Sequence, residues 1–578
     1  MYVCILADPS TLPCMCAESP YVDGDHGHII TGDIRIIQNN KLRKLLVKGP
    51  KFRESEVISW TKAKESIIKG INESIKKWVD SKGLCSSHFT EWKNKLLECL
   101  DNKINSLKIR IHPSKVTKIL NDNVVKNHLN ELQERYVIVP TDKADNNVAF
   151  VCKRYYVEVL SKELGLLGTD NSTYEYLQNI SSNEILNNHK DNLCNLFGIT
   201  IPLDMHTLPD IYWLPKLHKN PTKARFIIAS QKCSIKKLSK DITSIFKLAY
   251  TQIERYNQKA STFSGINTFW VIQNNIPVLN TLNKINLKNN AKTISSFDFS
   301  TLYTNIPHTK LFEELSGIIK FIFKGGTKST ISINKYGIAR WTKYDNAQTK
   351  YDLDKILIAI KFLLDNCHFN FGNKLFRQII GIPMGSDPAP YFANLFLYRY
   401  ESRWLNQMKK QNTVLSRKFG RVFRYVDDLL AVNDGDEFEK HYLEIYPNEL
   451  ELKKENSINT ETSFLDLRIS ISNRRFNTKL YDKRDDFGFQ ISRLPFKDSN
   501  IPNRMFYSTV CAEVLRICRA TSSLNDAISS VKILITRMLN QGATKPTLTT
   551  FLTKSLNKHR IPLSRFNTST KDFINKLI

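Results

Sequence analysis

The 578 residues predict an α+β protein, and three observations carry that expectation. Apolar, strand-like runs lie in the middle of the chain, among them YVIVP, NVAFV, KTISSFDF and FRYVDDLLAV. Helical periodicity dominates both ends, in AKESIIKGINESIKKWV early and in the basic tail 502–578 late. The length exceeds one ordinary hydrophobic core and implies three or four domains or subdomains.

Composition narrows the partners. With 41% apolar and 24% charged residues the chain reads as globular. Its 84 Lys and Arg against 56 Asp and Glu leave a net charge of +28, which points to a polyanionic partner, nucleic acid first. No apolar run approaches the roughly 20 residues of a membrane span. The eleven cysteines form no regular framework, which reads as free thiols in a reducing compartment. No 20–50-residue repeat is present.

Taken in order, residues 1–60 mix turns with extended pieces such as HGHIITGDIRII, and 59–132 read as Lys-rich helix. Two strands follow, YVIVP and NVAFV, separated by the polar turn TDKADN. YWLPKLHKNPTKARF is a basic, Pro-containing segment, and 236–290 read as helix. KTISSFDFSTLYTNIP is a strand ending at Asp298. Residues 325–350 look like a polar insertion and 351–366 like an amphipathic helix. GIPMGSDPAP is a loop opening a long helix, with Asp387 suited to cap it and Pro388 to its first turn. Residues 421–433 form a hairpin, and short strands after Phe464 give way to the helical tail.

The hairpin holds the chemical signal. Asp427 and Asp428 sit between two apolar runs, where their repulsion and desolvation cost free energy unless a cation compensates. If the strand ending in Asp298 is a neighbour, the carboxylates converge as oxygen ligands for paired Mg2+ ions. An Asp-Asp pair by itself is more often a solvated turn. The upstream Asp-ending strand, the intervening Gly loop and the +28 charge together give it weight.

These motifs carry a resemblance. YVDD resembles motif C of reverse transcriptases, FDFSTLYTNIP motif A, and GIPMGSDPAPYFANLFL motif B. Together with YWLPKLHK, PTDKADNNVAFVCKRYY, IYPNELELKKENS, SFLDLRI and LYDKRDDFGF, their wording is similar to Penelope-like retroelements, relatives of telomerase reverse transcriptase. The likeness runs from about Tyr136 to the end. It implies a right-hand polymerase: an N-terminal, mostly helical, basic region over 1–133, fingers over 134–290, palm over 291–480, and a primer-grip segment with a helical thumb over 481–578.

The resemblance also implies roles. Asp298 and Asp427 match the main metal ligands, Asp428 accompanies them, and Phe299 adds backbone beside the metal. Tyr303 matches the steric gate that crowds a ribose 2′-hydroxyl, against the alternative of a packed core tyrosine. Met384 and Gly385 match the loop at the templating pair, with Met384 where many viral enzymes carry Gln. Lys216, Lys219, Lys223 and Arg225 suit a triphosphate. Lys143, Arg493, Arg516 and Arg519 would contact template or primer. Lys453 or Lys454 could protonate pyrophosphate. The expected cofactors are two Mg2+ ions, replaceable by Mn2+. The expected partners are an RNA template, a DNA primer or target 3′ end and dNTPs, with no membrane and an oligomeric state left open. The family implies the nucleus, with the cytoplasm as the alternative.

Nothing after Phe551 has a GIY-YIG endonuclease pattern, so the chain is expected to resemble the endonuclease-lacking branch, with truncation an equal explanation. A catalytically silent nucleic-acid-binding protein and an RNA-directed RNA polymerase are the competing functions, and a bulky Tyr303 disfavours the latter. Cys14-x-Cys16 with His26-x-His28 offers two thiolates and two imidazoles for tetrahedral Zn2+, against a free-thiol loop.

Overall fold

A computed structural model describes the chain except for residues 1–11, 13, 15, 17–27, 32–36, 55–59, 83–89, 109–118, 169–172, 220–221, 324–329, 335, 343–348, 484–486, 488–490, 492, 559–565 and 578. The described N-terminal part holds strand β1 (Ile29–Thr31) and helices α1 (Asn40–Val47), α2 (Trp60–Lys82), α3 (Thr90–Lys108) and α4 (Asn123–Arg135). The Asn39 side chain caps α1 and Asp122 caps α4, satisfying N–H groups the helices leave free.

The next layer begins with the hairpin β2 (Tyr136–Thr141) and β3 (Ala144–Cys152), whose turn carries Lys143 at φ +64°. β1 adds to its far side, giving the order β1-β3-β2. Helix α5 (Lys153–Glu163), strand β4 (Tyr174–Tyr176), helix α6 (Ser182–Phe197) and the hairpin β5 (Ile211–Lys216), β6 (Lys223–Ile228) follow. A Ser181–Glu184 capping box starts α6 and left-handed Gly198 ends it. Trp213 is buried beneath the hairpin and stacks on Tyr156 at 5.0 Å, joining β5 to α5.

The centre comprises α7 (Lys236–Ser264), α8 (Ile276–Asn286), β7 (Ile294–Phe299), α9 (His308–Phe323), strands β8 (Thr330–Ile333), β9 (Ala339–Thr342) and β10 (Thr349–Tyr351), and α10 (Leu353–Asp365). It continues with β11 (His368–Phe371), β12 (Lys374–Gln378), α11 (Ala389–Gln411), α12 (Thr413–Lys418), the hairpin β13 (Val422–Tyr425), β14 (Asp428–Val432), α13 (Glu437–Ile445) and β15 (Leu452–Lys454). The antiparallel sheet β13-β14-β7-β15 divides two cores. Phe297, Phe299, Leu429 and Ala431 face a large cluster with α7, α9, α10 and α11. Alternation sends Ile294, Leu430 and Val432 the other way, onto α8 and the sheet β16 (Glu461–Phe464), β17 (Leu467–Ser472), β18 (Arg475–Leu480). Helix α7 therefore shares a core with β7, so no core boundary falls at residue 290.

Two local expectations change. The polar stretch 325–350 contains a three-stranded sheet, order β10-β8-β9, anchored where the buried Tyr351 hydroxyl donates to Asp241 at 3.1 Å. Asp387 does not cap α11. It accepts from Lys236 Nζ and Ser239 Oγ, so an ion pair to α7 outcompetes the helix terminus.

Helices α14 (Asn503–Ala520), α15 (Leu524–Asn540), α16 (Lys545–Lys558) and α17 (Thr570–Asn575) form a separate core around Phe506, Val510, Val531 and Leu552. The loop after α1 reaches this end of the molecule: Arg53 N donates to Ser499 Oγ, Asn500 N to Arg53 O at 2.7 Å, and Phe52 meets Phe496 edge-on. Among the described residues no helix is long and apolar enough to cross a membrane.

Candidate active site

Register brings the three carboxylates to one edge. β14 pairs with β7 so that Asp428 stands opposite Asp298, and Asp427 lies in the two-residue turn between Tyr425 and Asp428. Phe299 N donates to Asp427 O at 3.2 Å, tying the turn to the end of β7. On the other side of β7, Lys453 is directly opposite Asp298, so the two side chains share a face. Lys453 pairs with Glu451 at 3.0 Å, whereas Lys454 points to the opposite face and reaches Glu439.

The carboxylates are held against their own charge. Burial, then Asp427, raises the Asp298 carboxyl above its ordinary range. Burial and Asp427 push Asp428 up to about 7. Lys483 opposes both shifts from the segment after β18. Such a set of converging carboxylates suits a hard divalent cation with oxygen ligands. Among the described residues, the group of three or more His, Cys, Asp or Glu whose ligand atoms all lie within 4.8 Å of one another is near the N-terminus instead.

The turn itself is strained. Val426 has φ +56°, a conformation β-branched residues avoid. Its carbonyl accepts from Arg424 Nη1 at 3.1 Å. Arg424 is fully buried and also donates to Asn394 Oδ1 at 2.8 Å, to Asn394 O at 3.0 Å and to Glu401, itself fully buried. Tyr446 completes the network by donating to Glu401 at 2.9 Å. This support was not among the sequence expectations. Its signal was a charged residue inside an apolar strand and another, Glu401, inside an apolar helix face.

The basic hairpin lies over this edge. Lys216 pairs with Lys223 and Leu214 with Arg225, so Lys216, Lys223 and Arg225 occupy one face of β5–β6. Burial lowers the Lys216 amine, with Arg225 adding to the effect. Arg225 binds Asp142 at 3.0 Å, which docks the exposed Lys143 turn against the hairpin, and Asp142 N donates to Pro215 O. Lys219 is exposed at the hairpin tip and acts on Asp298.

The Gly loop joins hairpin to sheet. Ile228 N donates to Met384 O at 3.0 Å, and a Cβ on Gly385 would lie 2.2 Å from Ile228 O. Ile382 N donates to Tyr303 O at 2.9 Å. Tyr303 lies with Phe226, Ile228 and Met384 around one small pocket while packing partly on the main core. Burial, then Asp427, raises its phenol.

Residues 217–454 match the model of a family described as reverse transcriptase (RNA-dependent DNA polymerase). The chain carries a reverse transcriptase domain. It is an enzyme of the RNA-directed DNA polymerase class. The matched span ends with β15, so it contains the three aspartates, Tyr303, the Gly loop and most of the basic hairpin. No curated protein sequence matches the chain. Telomerase from Candida albicans in complex with a TWJ fragment of telomeric RNA has a similar structure, with TM-score 0.52 and 11% identity over 80% of this chain and 75% of that one. That likeness is one of fold. Telomerase from Candida tropicalis truncated from its C-terminal domain gives 0.43 at 14% identity over 77% of each chain. The apo telomerase of the same organism gives 0.42 at 12% over 82% of each, and neither score adds to the fold.

Outside the reverse transcriptase domain, two of the expected template or primer contacts turn inward. Arg493 donates to Asp482 at 2.9 Å and to both oxygens of Glu513 at 2.7 Å. Arg516 donates to Asp466 at 2.8 Å and to Glu513. These pairs bind the sheet β16–β18 to α14. Arg519 is exposed on α14. Lys483, which the sequence did not single out, is near enough to Asp298 and Asp428 to pull both carboxyls down.

Proposed function

We propose that the chain is the reverse transcriptase of a Penelope-like retroelement, extending a DNA 3′ end on an RNA template. The observation that supports it most is the register pair Asp298–Asp428 with Asp427 at the adjoining turn, under a hairpin bearing Lys216, Lys223 and Arg225. The motif wording favours the Penelope-like type. In this reading β2–β6 are the fingers, the central sheet with its helices the palm, and α14–α17 the thumb.

Asp298, Asp427 and the Phe299 backbone would hold divalent cations, with Asp428 adjusting the charge beside them. When bound, Mg2+ there would activate a primer 3′-hydroxyl and stabilise the leaving pyrophosphate. The protein groups do the rest. Lys216, Lys219, Lys223 and Arg225 bind the triphosphate, and their charge draws it to the edge of the sheet. The Tyr303 ring occupies the room a ribose 2′-hydroxyl would need. Met384 and Gly385 shape the floor beneath the templating pair, where Gly385 lets the backbone pass close to Ile228. Lys453, on the face of Asp298, would give a proton to the departing pyrophosphate. Lys143 and Arg519 would meet the nucleic acid backbone, while Arg493 and Arg516 hold the thumb to the palm.

The test is primer extension on poly(rA)–oligo(dT) with Mg2+, beside the Asp427→Asn, Asp428→Asn double variant. Extension by the parent and none by the variant is expected. No extension by either, with salt-sensitive RNA binding retained, would overturn the catalytic reading in favour of a silent binding protein.

A further inference from the structure

A second cluster of ligating groups lies outside the polymerase site. The Sγ atoms of Cys14, Cys16 and Cys152 and a ring nitrogen of His28 all lie within 4.8 Å of one another. Cys14 Sγ is 3.6 Å from His28 Nδ1 and 3.8 Å from Cys152 Sγ. Zn–S bonds of about 2.3 Å and Zn–N bonds of about 2.0–2.1 Å at tetrahedral angles give ligand-to-ligand edges of about 3.8 Å and about 3.5 Å. The two separations match those edges.

The fold dictates this meeting. β1 pairs with β3 with Ile29 opposite Val151, and Cys152 N donates to His28 O at 2.9 Å. Continuing the register sets His28 opposite Cys152, with side chains on one face. His26 lies outside the described residues; among the described ones the ligand atom that joins Cys14, Cys16 and His28 comes from Cys152, across the chain.

The surroundings suit an anionic centre. Three thiolates, one neutral imidazole and Zn2+ carry a net charge of −1. Cys152 is the N-cap of α5, where the helix dipole favours negative charge. The Tyr155 backbone N–H donates to Cys152 Sγ and that of Cys16 to Cys14 Sγ. His28 stacks on Tyr155 at 4.9 Å, and Tyr155 meets Trp213 of β5 edge-on at 6.1 Å.

We infer that Cys14, Cys16, His28 and Cys152 form a structural Zn2+ site that staples the N-terminal segment to the β2–β3 hairpin, one aromatic layer behind the basic β5–β6 hairpin. Four protein ligands leave no open position, so the ion is structural. The closed site fixes β1 as the edge strand and, through His28, Tyr155 and Trp213, the base of the hairpin that carries Lys216.

The full chain, purified under reducing conditions without chelator and dialysed, is assayed for metal by inductively coupled plasma mass spectrometry. One zinc per chain is expected. Cys16→Ser and Cys152→Ser should lose it, while His26→Ala and Cys194→Ser should keep it. Cobalt substituted into the unmutated chain should show thiolate-to-metal charge-transfer absorption, which guards against variants that fail to fold. Zinc well below one per chain with no such absorption overturns the inference. So does full zinc in Cys152→Ser, or a mass two hydrogens short, marking a Cys14–Cys152 disulfide. Because metal content is read directly, failure here is distinguishable from failure of the polymerase reading.

Discussion

The buried support under the catalytic turn yields the sharpest expectation. Glu401→Gln keeps the shape of the side chain and removes the charge that balances Arg424, which is fully buried. Breaking a buried pair on one side costs about 3–5 kcal/mol, because a charge is left without its partner. That is a large share of the roughly 5–15 kcal/mol that holds a domain folded. Urea denaturation should show the midpoint fall accordingly. Activity should fall further than stability explains, because Arg424 also holds the carbonyl of Val426 at its positive φ. A strained residue of this kind costs about 1–3 kcal/mol and persists only while its surroundings insist on it. The double variant Glu401→Leu, Arg424→Met removes both charges. It should recover much of the stability and little of the primer-extension rate, because the turn has lost its donor. Wild-type stability in Glu401→Gln, or full activity in the double variant, would refute the idea that the pair positions Asp427.

Three further outcomes follow from the same site. Asp428, raised to about 7 from 3.8 by burial and then Asp427, stays protonated in the folded chain over a window where the unfolded chain has ionised. Stability therefore falls as pH rises through that window, and the penalty is complete above about 7. The full shift corresponds to about 4 kcal/mol, and partial exposure reduces it to about 2 kcal/mol. Without divalent cations, Asp428→Asn should be more stable than the parent at pH 8 by that amount, with the gap closing towards pH 4; equal denaturation curves at pH 8 would count against it. Tyr303→Ala should relax selection of dNTPs over NTPs while Tyr303→Phe preserves it, read from competing incorporation rates; unchanged discrimination in the Ala variant would sink the gate assignment. Gly385→Ala places a methyl group 2.2 Å from Ile228 O at φ +110°. It should cost about 2–4 kcal/mol through strain and the lost Ile228–Met384 hydrogen bond, and a urea midpoint within error of the parent would show that the loop can move aside.

Some of the site was legible because its signals are local. The hairpin FRYVDDLLAV announces itself by apolar runs about two carboxylates, and the strand ending at Asp298 by its apolar run KTISSFDF. The loop GIPMG shows a backbone requirement through its glycines, and Gly385 meets it at positive φ. What was not legible depends on partners far along the chain. Glu401 and Arg424 look like errors of pattern until they meet at the helix–sheet interface. Asp387 has the right type and place for a cap, yet Lys236, 151 residues away, claims it. Arg493 and Arg516 look like nucleic-acid ligands until Asp482, Asp466 and Glu513 occupy them. The strands of 330–351 were hidden by polar composition, because a small sheet laid on α7 needs only one apolar face.

By itself, then, the sequence determined the α+β class, the order of the motifs, the residues that could bear catalytic charge and the basic balance that suits nucleic acid. These follow from residue type and spacing over a few turns or strands, where backbone geometry is nearly fixed. Only the tertiary structure decided which charges face one another: Asp428 across from Asp298, Lys483 near both, Arg424 beneath the turn, and Cys152 beside His28. Pairing register and packing set those meetings, and both are resolved by the whole chain burying its apolar faces at once.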